Sequence, residues 1–113
     1  MILDDARTLA DKLRSSEEYQ TYREAKARAY AQSSTAALLD EFHTLRMKTQ
    51  AASVAGTPDA EANEKLQKLG ELLQFDAAAA AYLLAEYRLN GLLGEIYKIL
   101  AEAVELDLGA LEG

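Results

Sequence analysis

The chain has no cysteine and no tryptophan, one proline, one histidine and no apolar run long enough to cross a bilayer. Each shortage closes off a class of protein. Without cysteine there is no disulfide, no thiolate nucleophile and no cysteine-held zinc or iron–sulfur site, and a reducing compartment is expected. The one histidine, His43, makes no recognised metal-ligand spacing with the nearby acids Asp40 and Glu41. No stretch approaches the roughly 20 apolar residues a membrane helix needs, and Asp4, Asp5, Arg7 and Asp11 interrupt residues 1–13 too often for the apolar core of a signal peptide. A cytoplasmic protein with no membrane contact is expected. Basic residues are also few: 12 against 19 acids, a net charge of −7. That balance repels phosphate backbones and disfavours direct nucleic-acid binding. Residues 1–34 hold six acids and six bases, whereas everything after Lys98 is acidic or neutral. The acidic end reads as a solubilising stretch or as a docking surface for a basic partner.

What is present is helix periodicity. At 113 residues the chain is expected to form one domain with a limited core, because much of its 50% hydrophobic share is alanine, including Ala77 to Ala81. Ile2, Ala6, Leu9 and Leu13 share one face of a first helix. Ser15 with Glu18 three residues later fits a capping box opening a second helix, which Tyr19, Tyr22, Ala25 and Ala29 continue to about Ala31. Ser33, Ser34 or Thr35 is expected to cap a third, whose apolar line is Leu38, Phe42, Leu45 and Ala52. Gly56, Thr57 and Pro58 predict a stop, a cap and a first helical residue. Leu66, Leu69, Leu72 and Leu73 mark the fourth helix, with Glu61–Lys65 and Glu64–Lys68 spaced as pairs one turn apart. Asp76 is a cap for a long fifth helix, although a continuous rod through Phe75 fits the periodicity too. The predicted class is all-α: about five helices, the third and fourth forming an antiparallel hairpin, the fifth returning along them. The first two are left to pack across that assembly or on a second subunit.

The fifth helix is the most informative. Tyr82, Leu89, Leu93, Ile96, Leu100 and Ala103 form an apolar stripe that Leu92 and Ile99 widen, while Arg88, Gly91, Glu95, Lys98, Glu102 and Glu105 form a solvated one. So wide a face predicts more than one neighbouring helix, and a dimer built through it. Candidate interface residues are Tyr82, Glu86, Leu89, Asn90, Leu93, Ile96 and Leu100, with Tyr19 and Tyr22 from the second helix. Gly91, on the polar stripe, suggests either a tolerated glycine, a bend, or close approach of another helix.

Glu86 interrupts the apolar line, and a carboxylate there must be paired or wetted. Arg23, Arg28 and Arg46 are candidate partners, setting register, and partner binding is the other reading. His43 reads as a half-buried helix residue. General acid–base work is chemically open to it, but no orienting partner is evident in sequence. An unfamiliar enzyme site would need Glu86, Arg88 and His43 to converge in a polar pocket. No phosphate-binding loop, Ser-His-Asp grouping or metal-ligand spacing is found, so no catalytic residue, metal ligand or cofactor is assigned and an interaction protein is expected.

Three segments carry a resemblance: Ser16-Glu17-Glu18-Tyr19-Gln20-Thr21-Tyr22-Arg23-Glu24-Ala25-Lys26, then Leu38-Leu39-Asp40-Glu41-Phe42, then Tyr82-Leu83-Leu84-Ala85-Glu86-Tyr87-Arg88-Leu89-Asn90. In order and spacing they resemble the YlbF/YmcA (Com_YlbF) family of bacterial proteins from about Leu3 to Leu108. The resemblance implies a small, all-helical, oligomerising cytoplasmic protein with a regulatory role. Some members act in competence, sporulation and biofilm control through a complex that influences the endonuclease RNase Y. Carried over by position, Tyr82, Glu86, Arg88, Leu89 and Asn90 form one family-typical patch and Tyr19, Tyr22 and Ala25 its counterpart. Some complexes of the family hold iron–sulfur clusters on cysteines; with none here, that cofactor is not carried over.

Overall fold

The computed structural model describes residues 1–106; Asp107 and Glu112, the last acids of the C-terminal stretch, lie outside the described residues. Five helices follow in order: α1 (Ile2–Arg14), α2 (Glu17–Tyr30), α3 (Ser33–Val54), α4 (Ala60–Leu73) and α5 (Ala77–Ala103). No strand occurs among the described residues, and the fold class is all-α as the periodicity predicts.

The helix ends show where local rules were misplaced by one or two residues. Ser16, not Ser15, caps α2: its extended backbone lets Oγ accept the Tyr19 N–H at 3.2 Å, while Ser15 still closes the last turn of α1. The residue three beyond Ser16 is Tyr19, so the reciprocal carboxylate of a capping box is absent. α3 starts from Gln32 with no side-chain cap, and Thr35 spends its hydroxyl elsewhere. Gly56 ends α3 as expected, with φ +77°, the Thr57 N–H reaching Ala52 O and the Gly56 N–H reaching Ser53 O, the paired bonds of a Schellman stop. Because Thr57 is still committed to that stop, it cannot open α4; Asp59 does so, accepting from the Ala62 N–H, and Pro58 stays outside the helix. Asp76 caps α5 through the Ala78 and Ala79 amides, so the rod breaks and Phe75 is left 91% exposed. α5 stops on the same paired bonds as α3, with Glu105 at φ 57° in the place of a glycine.

The expected α3–α4 hairpin forms and α5 meets it through side chains, but the helix that lies closest to α5 is α2. Side-chain size explains the choice. Ala25 and Ala29 on α2 share one core cluster with Ala79 and Ala85 on α5, and small residues on both helices let their axes approach closely. Tyr82, 2% exposed, fills the space between this pair and the hairpin. Leu39 and Leu73 are the largest fully buried side chains of the described core. Four of the eight core residues are alanine, so burial is thin. The described chain forms a slab 46 × 36 × 16 Å, about one and a half helix diameters deep. At one edge α1 buries no residue at all.

Candidate functional site

Two features stand out: a closed polar ring behind Tyr82, and an open apolar face beyond it. The ring joins α3 to α5. His43 and Arg46 lie one turn apart on α3, Tyr82 and Glu86 one turn apart on α5, so each pair shares a helix face. Arg46 Nη1 donates to Glu86 Oε1 at 2.6 Å, a charge-assisted bond that answers the sequence's question about Glu86; of the three arginines considered, Arg46 is the partner. Arg46 Nη2 lies 2.8 Å from His43 Nδ1. Because guanidinium only donates, Nδ1 must accept, which puts the ring proton on Nε2. Nε2 then donates to Tyr82 Oη at 3.0 Å, and Tyr82 donates to Glu86 Oε2 at 3.4 Å. The expectation that His43 lacks an orienting partner is therefore corrected: it has two. The i, i+3 and i, i+4 spacings within each helix were the available sequence signals. Placing α5 along α3, as the sequence predicts, does not by itself give the rotation and register that set these two pairs opposite one another.

Burial and the Arg46 charge hold the imidazole below its usual range, against the opposing pull of Glu86. Burial pushes the Tyr82 phenol up, and Tyr22 and Glu86 add to it. At neutral pH the group thus consists of a cation, an anion, a neutral imidazole and a neutral phenol, a set whose donors and acceptors match. Tyr22 and Tyr30 pack on the Tyr82 ring at centroid distances of 5.7 and 5.8 Å, and Tyr19 extends the cluster through Tyr22 at 6.5 Å. Lower on the same helices, Thr35 Oγ1 donates to Asp76 Oδ2 at 2.7 Å. That bond, with the two amides Asp76 caps, keeps its carboxyl below the ordinary carboxylate range.

Arg88 does not join this group. It lines a separate cleft with Glu17, Thr21 and Ala85 at the start of α2. Glu86 and His43 converge, but the three-residue pocket an unfamiliar enzyme would need does not form. Beside the ring runs a groove of about 470 Å³ between α3, α4 and α5, with Phe42, Arg46, Leu83, Glu86 and Asn90 on its walls. Gly70 sits where an added Cβ would come within 3.3 Å of the Phe42 ring. Among the described residues no cluster of three or more His, Asp or Glu side chains is placed to hold a metal, and no helix is long and apolar enough to cross a membrane.

The candidate interface residues divide sharply. Tyr82 is enclosed by its own chain, and Glu86 is nearly so. Tyr19, Tyr22, Leu89 and Ile96 are half-buried, and Asn90 is exposed on the groove. Leu93 is 38% exposed and Leu100 57%, with Tyr97 and Ile99 still more open beside them. On α1, Ile2 and Leu3 are open as well. These are large apolar side chains in clusters on two helices, which scattered surface hydrophobics do not produce.

The chain is 35% identical over 106 residues to a UPF0342 protein of Symbiobacterium thermophilum, covering 93% of this chain and 95% of that one. It is 31% identical over 108 residues to a UPF0342 protein of Halothermothrix orenii, covering 95% and 92%. Among solved structures it is similar to the crystal structure of Bacillus subtilis RicA in complex with RicF. The TM-score is 0.61 at 20% identity, over 92% of this chain and 93% of that one, a likeness of fold. The family model described as control of competence regulator ComK, YlbF/YmcA matches residues 2–105; with its five helices, its open α5 face and this near-complete match, the chain belongs to the Com_YlbF family.

Proposed function

We propose that this protein is a non-enzymatic regulatory adaptor of the cytoplasm, acting as one 113-residue domain that pairs with a second copy through α5 and presents a further surface to a protein partner. One observation carries the reading: the second half of α5 leaves Tyr97, Ile99 and Leu100 more than half exposed, with Val104 at its C-cap, and α1 leaves Ile2 and Leu3 so. At roughly 100 Å² of exposed area for each of these side chains, one copy offers roughly 600 Å², most of the roughly 800 Å² that one partner contributes to an interface of standard size. The Com_YlbF family and the RicA–RicF complex of a fold neighbour support action by protein contact. The family resemblance makes control of competence, sporulation, biofilm formation or RNase Y-dependent RNA processing the pathways to examine first.

Light scattering on the purified chain from low to high micromolar concentration is expected to give the mass of a dimer. Pull-down from native extract is expected to recover one protein in stoichiometric amount. A monomer at all concentrations overturns the pairing. A dimer that captures nothing reduces the protein to an oligomerisation module without an adaptor role.

A further inference from the structure

The polar ring is closed in one protonation state only, and it joins the two halves of the fold. α3 belongs to the hairpin with α4, and α5 belongs to the pair with α2. Beside the shared apolar core of Leu39, Ala79 and Tyr82, polar side chains tie α3 to α5 at two places: Thr35 with Asp76 near the helix starts, and His43 and Arg46 with Tyr82 and Glu86 farther along. Ten residues separate Asp76 from Glu86, roughly 15 Å along the helix. The groove with Phe42 and Leu83 on its walls opens beside the second place.

We propose that the His43–Arg46–Glu86–Tyr82 ring is a proton-operated latch: a proton taken from water by His43 Nδ1 turns its acceptor into a donor facing Arg46, and the hairpin loosens from the α2–α5 pair at the groove. The bond between Arg46 Nη2 and Nδ1 is lost outright, since two donors then face each other across 2.8 Å. A gain partly offsets this, because the new imidazolium has Glu86 Oε2 within 3.9 Å of Nε2. The charged groups around the imidazole come from every side. Arg46 and Asp40 lie on α3, Glu86 on α5 and Lys26 on α2, with Arg46 and Lys26 opposing a positive charge and Glu86 and Asp40 favouring it. Glu71 on α4 faces the same groove. Burial opposes the charge most of all. The first tie does not open with it, since Thr35 and the Ala78 and Ala79 amides hold the Asp76 carboxyl below the ordinary carboxylate range, so Thr35–Asp76 serves as the fixed end.

The sign follows from linkage. His43 holds its proton less tightly folded than unfolded, so the ring's contribution is complete above the unfolded value near 6.5 and is lost as pH falls through the lower folded value. Because His43 is the only histidine, imidazole nitrogen NMR on the full chain reports it without assignment. The expected result is the Nε2–H tautomer at pH 8, protonation at a lower pH than a free histidine, and shifts of the Phe42 and Leu83 signals over the same range. On going from pH 7.5 to 5 the wild type is expected to lose about 4 °C more in Tm than His43→Asn, whose carboxamide oxygen keeps an acceptor for Arg46 at every pH. An Nδ1–H tautomer, titration at or above the free value, or Phe42 and Leu83 signals that ignore the titration would overturn the latch. The NMR readouts use the wild type and stand even where the variant fails to fold.

Discussion

α5 is two helices in one. From Ala79 to Glu86 its inward face is occupied by its own chain: alanines against the alanines of α2, Tyr82 among three aromatic neighbours, Glu86 in a complete hydrogen-bond ring. From Leu93 onward the same helix continues with larger apolar residues, and Tyr97, Ile99 and Leu100 are more than half exposed. The contrast runs against simple hydrophobicity, because the small residues are inside and the large ones outside. What decides burial is the presence of a neighbour: α2 and α3 enclose the first half, whereas in the second only Ala101 is fully buried and Leu92 and Ile96 are half-covered. A helix of 27 residues, roughly 40 Å long, outruns the 14 residues of α2.

If the two halves differ in this way, Tyr82→Ala should do the greatest damage to folding. Removing a fully enclosed aromatic costs about 3–5 kcal/mol, and the loss should appear in thermal melting as a fall in Tm of more than about 10 °C. A fall of only a degree or two would mean that Tyr82 is not the centre of the core. Next in size, Leu100→Glu should leave the helix content by circular dichroism and the unfolding of the single chain almost untouched, yet weaken self-association at least about 100-fold, roughly 2.7 kcal/mol. Equal association in sedimentation would erase the distinction between the halves. The smallest effect is expected at Gly91, where an added Cβ meets nothing within 4 Å. Gly91→Ala should raise stability by about 0.5–1 kcal/mol through helix propensity. Denaturant titration showing a decrease instead would place another helix against this glycine in the assembled state.

How far the residue order disclosed this arrangement depends on the range of the interaction. Periodicity located all five helices, since the apolar spacing of each is written within a dozen residues. Asp76 and Gly56 were legible because a cap and a left-handed stop are local chemistry. Ser15, Thr57 and Thr35 misled for the reverse reason. Each is a competent cap by type, and the choice among adjacent candidates was made by the preceding helix's own stop or by a distant carboxylate. The pairing of α5 with α2 was not visible, because short connections argue for sequential neighbours while alanine complementarity acts across more than 50 residues. Glu86 announced its need for a base, and Arg46 was among three candidates. The roles of His43 and the Tyr82 hydroxyl were hidden, because running α5 along α3 leaves open the rotation and register that bring their side chains together.

The slab's depth, 16 Å, carries one more consequence. A plate so shallow has no middle layer, so every helix keeps an outdoor side, and stacking a second body on either broad face needs no refolding of the first. Slow amide exchange in the later turns of α5 would then act as a gauge of company rather than of fold. Those amides should exchange quickly in dilute solution and slowly in concentrated solution, while the amides around Tyr82 keep one rate throughout.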